Sequence, residues 1–101
     1  MFNQDEAFRE LNSYCALIGN IDSLVFHLNN AIDNLNRANY AVANSLQIDD
    51  TRFDNNDIEK LKNRLVEYRD YLNNACKPAA ERNKRRMIDT IEGEGITIIW
   101  S

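Results

Sequence analysis

Apolar residues recur at helical spacing through the first half of the chain. Phe8, Leu11, Cys15, Ile18, Ile21, Val25, Leu28, Ile32, Leu35, Val42 and Leu46 are three or four residues apart once Asn39 is counted between Leu35 and Val42. That spacing lays one apolar stripe along an amphipathic helix over about residues 4–46. Asn3 or Asp5 suits its N-terminus, where a short polar side chain accepts from free amides and Asp5 and Glu6 face the positive end of the helix dipole. Gly19 is the weak point, at a cost of about 1 kcal/mol relative to alanine. The phase through Ile18, Ile21 and Val25 carries across it, which favours one continuous helix, kinked at most.

The pattern fails from Ile48. Asp49-Asp50-Thr51-Arg52-Phe53-Asp54-Asn55-Asn56 holds turn formers and no periodicity, so residues 47–55 read as a loop. Asn56 with Glu59 three residues on resembles a capping box, which opens a second helix over about 56–92. Its stripe is Ile58, Leu61, Leu65, Tyr68, Leu72, Cys76, Ala79 or Ala80, Met87 and Ile91, interrupted by Asn83. Pro78 lacks an amide donor and disfavours helical geometry at Lys77, so the helix either kinks there or restarts with Pro78 in its first turn.

Two long helices on a short loop imply an all-α fold, a long antiparallel helical hairpin. Folding about Asp50 to Phe53 sets side by side positions whose numbers add to about 103, Leu35 with Tyr68 and Leu11 with Ile91. A bare helix pair leaves one side of its stripe in water, so the hairpin is expected to form a bundle by self-association. The expected oligomer seam is Val25, Leu28, Ile32, Leu35, Asn39, Leu65, Tyr68 and Leu72. Asn39 either sets register within it or sits at its rim bonded to water.

After Glu92 the character changes. Gly93-Glu94-Gly95 stops the helix, and Ile96-Thr97-Ile98-Ile99-Trp100 is β-branched and aromatic, so 93–101 reads as an extended arm. Packing within a homodimer is its first expected use. Ile98 and Trp100 are also candidate contacts to another protein.

At 101 residues the chain is one domain, and three Gly with one Pro leave little to punctuate a many-stranded sheet. No apolar run approaches bilayer length, and Met1 to Glu6 lacks the basic and apolar regions of a signal peptide, so the expected compartment is the cytosol and no membrane partner is expected. Cys15 and Cys76 each lie in an apolar stripe, far apart along the hairpin, and read as reduced. The formal net charge of −4 is uneven: residues 1–60 hold ten acidic and four basic groups, and 61–101 hold eight basic and six acidic.

Lys77, Arg82, Lys84, Arg85 and Arg86 form the one dense basic cluster. Such a helix face suits nucleic acid or a nucleotide phosphate. The overall acidity and the lack of an interleaved aromatic favour a plain solvated face, or a match to the acidic first half near Asp22. Nothing points to catalysis, a cofactor or a metal. His27 is the sole histidine and has no nucleophile placed with it by any motif. Asp49, Asp50, Asp54 and Asp57 lack the glycine-centred spacing and terminal Glu of a calcium loop.

Length and hairpin layout resemble the small WXG-type proteins of bacterial type VII secretion. Asp50-Thr51-Arg52-Phe53 stands where their Trp-x-Gly turn would be, and the strand-like tail is foreign to them. The resemblance implies a leaderless secreted hairpin with a different protein as partner. The residues themselves favour a non-enzymatic interaction module, an adaptor, inhibitor or accessory factor that acts as a helical homo-oligomer.

Overall fold

The apolar stripe of the first half becomes one helix, α1, spanning Gln4–Val42 in the computed structural model, which describes residues 1–42 and 45–100. The Asn3 side chain accepts from the Glu6 amide at 3.1 Å and so caps it. The helix passes through Gly19 without a break. Along it Ala7, Leu11, Tyr14, Ile18, Ile21, Val25, Leu28, Ile32, Leu35, Asn39 and Val42 are all buried or half-buried. Their spacing alternates four and three throughout, the heptad of a left-handed helix pair.

The connection is not a loop. Ser45–Ile48 (β1) and Thr51–Asp54 (β2) pair as an antiparallel ribbon across a two-residue turn. Asp49 takes the left-handed conformation the turn needs, at φ 52°, which Asp tolerates better than most residues. α1 thus ends short of position 46, and Leu46 lies on a strand. Ala43 and Asn44 fall outside the described residues. Asp54 then caps the second helix, α2 (Asn55–Tyr71), by accepting from the Asn56 amide at 2.8 Å. The helix therefore starts one residue before the Asn56 cap expected from sequence.

Around Pro78 the helix does not stop. Leu72–Cys76 form a single π-helical turn in which the Lys77 amide bonds back to the Leu72 carbonyl, and α3 (Lys77–Gly93) carries Pro78 in its first turn. Pro78 has no N–H, so a widened turn ahead of it absorbs the mismatch. The extra residue shifts the helix phase, and the buried line continues from Leu72 through Cys76 to Ala80, Met87 and Ile91.

The structure is mostly helical, with a short two-stranded sheet, and is compatible with a helical hairpin. Contacts between the helices fix the register: Asn39 meets Glu59, Asn29 meets Arg69 and Asp22 meets Lys77. These pairs add to 98 or 99, and every pair of the ribbon adds to 99, as Ser45 does with Asp54. The Asp49–Asp50 turn thus sets the register of the helices as well. The value of 103 expected from sequence is one helical turn too large, because it centred the fold on Asp50 to Phe53.

That shift changes what faces α1. Ile58, Leu65 and Leu72 are half-buried or buried on the line toward α1, but the positions between them are Lys62 and Arg69. Leu61 and Tyr68, expected in the stripe, stay 48% and 54% exposed. The densest packing lies instead at the end with the termini. Leu11 and Ile91 are almost wholly buried there, with Ala7, Phe2, Phe8, Cys15, Met87, Ile88, Ile96 and Ile98 around them. Gly95, at φ 79°, turns the chain after α3 so that the arm folds back onto this cluster. No strand pairs with the arm among the described residues.

Candidate interaction surface

The two flanks of the helix pair differ in chemistry. On one flank polar side chains join the helices. The Lys77 ammonium lies 2.7 Å from the Asp22 carboxylate, Arg69 donates to Asn29 at 3.0 Å, and Asn39 donates to Glu59 at 3.2 Å while Lys62 holds the same carboxylate at 3.0 Å. The hydrogen bond and charge of Asp22 raise the Lys77 pKa above its ordinary value. These contacts explain how Lys62 and Arg69 can lie on the line toward α1: each points a charged tip at an acceptor while its stem covers apolar surface.

The other flank is apolar and open. α1 presents Leu17 and Leu24, about half exposed, followed at the same seven-residue interval by Ala31 and Ala38. α2 presents Leu61 and Tyr68, and Ala75 of the π turn follows at the same interval. Tyr71 is 60% exposed beside them. Of the seam expected from sequence, Val25, Leu28, Ile32, Leu35, Leu65 and Leu72 lie between the helices, Asn39 is half-buried among them, and Tyr68 lies on this open flank. The side-chain amide oxygen of Asn39 is buried without a hydrogen-bond partner among the described residues.

The ribbon extends the apolar surface to the tip. Cross-strand partners share a face, so Leu46 and Ile48 lie beside Phe53 and Thr51, and all four are exposed. Leu46, Ile48 and Phe53 each keep about half of their surface open to solvent.

The basic cluster divides. Lys77 is paired with Asp22 as above, the intrachain match that the charge asymmetry suggested. Lys84 is half-buried, its ammonium 5.4 Å from the centre of the Trp100 ring. The aromatic that the local sequence lacks is therefore supplied by the folded-back arm. Arg82, Arg85 and Arg86 are exposed and have no ion pair among the described residues. With Pro78, Glu81, Lys84, Ile88 and Asp89 they border a shallow concavity of about 810 Å³ on one helix face, a space between outstretched side chains rather than an enclosed site. Near it Tyr14 donates to Glu10 at 3.2 Å, and desolvation with this hydrogen bond raises its pKa while nearby Arg86 pulls it down.

Of the arm, Ile98 is packed on its own chain's core cluster, and Trp100 is 56% exposed. His27 is exposed and meets Phe26 edge-on at 5.6 Å. Asp54 and Asp49 serve as helix cap and turn residue. Among the described residues no group of acidic, histidine or cysteine side chains is gathered as a metal would require, and no helix is long and apolar enough to cross a membrane. Compared with known protein families, characterised proteins and solved structures, the chain matches none.

Proposed function

We propose that this chain is a non-enzymatic protein–protein interaction module, an adaptor, inhibitor or accessory factor, which works in the cytosol as an antiparallel helical hairpin completed into a bundle by self-association. The observation that carries this reading is the amount of surface left open, with Leu17, Leu24, Leu61 and Tyr68 exposed on it. The chain exposes 7608 Å², whereas a compact monomer of 11.7 kDa exposes about 5,900 Å². The excess of about 1,700 Å² exceeds what each partner gives up in an interface of ordinary size, about 800 Å². The radius of gyration, 21.0 Å against about 13 Å for a compact domain of this length, says the same of shape.

Light scattering on the purified chain tests it. The expected mass is a multiple of 11.7 kDa, and L24E with L61E should yield a helical monomer. A wild-type chain that is monomeric and well folded at every concentration overturns the reading. A second reading rests on Arg82, Arg85 and Arg86, which carry charge to the surface and have no ion pair among the described residues: a regulator that binds nucleic acid or nucleotide phosphate. It requires salt-dependent binding that is lost in R85E/R86E with the helices intact.

A further inference from the structure

The open flank has an internal symmetry. Residues side by side on the two helices add to 98 or 99. Leu61 is therefore level with Ala38, Tyr68 with Ala31, Ala75 with Leu24, and Arg82 with Leu17. Each layer is seven residues from the next, and each of the three central layers sets one large side chain beside one alanine. The sequence of layers is Leu with Ala, Tyr with Ala, then Leu with Ala. It reads the same from either end, except that the leucine changes helix.

We infer that the open flank binds a second copy of this chain in the opposite direction, about a two-fold axis crossing the rod at Tyr68 and Ala31. The inference rests on the self-association proposed above and adds its occupant and orientation. Rotation about that axis places the Leu61 and Ala38 layer of one copy on the Leu24 and Ala75 layer of the other, and Tyr68 beside Tyr68. In the layers on either side of the axis Leu61 then meets Ala75 and Leu24 meets Ala38, large against small, as interdigitating bundle layers require. The same rotation brings Leu17 of one copy level with Asp54 of the other, where the ribbon begins, so the exposed Leu46 and Phe53 of the tip approach an apolar neighbour. The axis lies near the middle of a rod 66 Å long and 21 Å across, so the overlap runs over most of its length.

Charge selects this orientation over the parallel one. Two copies side by side in the same direction would set Asp54 and Asp57 against themselves, and Arg82 to Arg86 likewise. Reversing one copy brings Asp54 level with Arg82, and Asp57 within one helical turn of it. Arg82, Arg85 and Arg86, which have no ion pair among the described residues, gain an acidic neighbour in the second copy. A two-fold axis makes this exchange twice.

Disulfide trapping tests the orientation separately from self-association. Chains carrying L24C and A38C are mixed under mild oxidation, with wild type as the control for Cys15 and Cys76, and the bridged products are mapped by mass spectrometry. The expected product is the 24 to 38 bridge between copies, formed at least about tenfold faster than either 24 to 24 or 38 to 38. Preferred 24 to 24 and 38 to 38 bridges in a chain that light scattering shows to be dimeric overturn the orientation and leave self-association standing. A dimer that forms none of the three overturns the flank as the interface. A monomer overturns both.

Discussion

The half of the rod bearing α3 and the half bearing α2 carry similar numbers of apolar residues and use them differently. α3 buries Ala80 and Ile91 against α1, and the arm closes the end by laying Ile96 and Ile98 over Leu11 and Ile91. α2 buries no residue at all. Its Leu61 and Tyr68 lie one position before Lys62 and Arg69, and it is those charged residues that turn toward α1. A displacement of one residue, about 100° around a helix, separates a side chain turned toward α1 from one left open to solvent.

The largest effect expected from this difference is in core truncation. Ile91→Ala removes a side chain with no exposed surface, and should cost about 2–4 kcal/mol. Leu61→Ala, at 48% exposure, should cost the isolated chain under about 1 kcal/mol and act instead on self-association. Urea unfolding followed by circular dichroism, run at the lowest usable concentration, measures both. Equal losses would show that α2 is as firmly held to α1 as α3 is.

The sequence displays α1 almost entirely, because a strict heptad over eleven positions is a periodic signal that Gly19 does not interrupt. It displays Pro78 as a perturbation in a continuous rod for the same reason: apolar phase resumes beyond it. The ribbon was hidden. Leu46 continues the helical spacing of α1 closely enough to be read as its last turn, Ile48 falls where that spacing fails, and Asp49-Asp50 is an unusual two-residue turn beside the Asn-Gly or Asp-Gly that normally marks a hairpin. With the ribbon missed, the register was missed too, and Tyr68 was placed opposite Leu35. The Lys84 contact to Trp100 was beyond sequence reasoning, since it depends on the arm reversing at Gly95. One signal was available for the open flank: the heptad spacing of Leu17, Leu24, Ala31 and Ala38, parallel to the main stripe.

A second, smaller effect sharpens the contrast within α1 itself. Asn39 is the only polar side chain on the heptad line other than Tyr14, and its side-chain amide oxygen is buried without a partner among the described residues while its amide nitrogen reaches Glu59. Asn39→Leu removes the orphaned acceptor and adds apolar contact, at the loss of one hydrogen bond to a charged group. The net should be a gain of about 1 kcal/mol in stability. If the stability rises and the assembly also becomes heterogeneous in mass, Asn39 sets register, as a polar residue in a helix seam can. Lower stability would mean that the Asn39 to Glu59 contact outweighs the buried oxygen.

The smallest effect concerns the polar flank that stands against the open one. Lys77 gains its partner on folding, so its pKa is higher in the folded chain than in the unfolded one. The pair therefore contributes fully below the ordinary lysine value of 10.5, and its contribution fades as the pH climbs through the raised folded value. Asp22→Asn should lower the thermal midpoint at neutral pH by no more than about 2 °C, since both groups remain in contact with solvent. The difference from wild type should narrow in strongly alkaline buffer, where Lys77 loses its proton in either chain. A gap that is absent at neutral pH would mean that the polar contacts only mark the closed flank. Its closure would then come from the buried line between the helices, and the open flank would differ from it in packing alone.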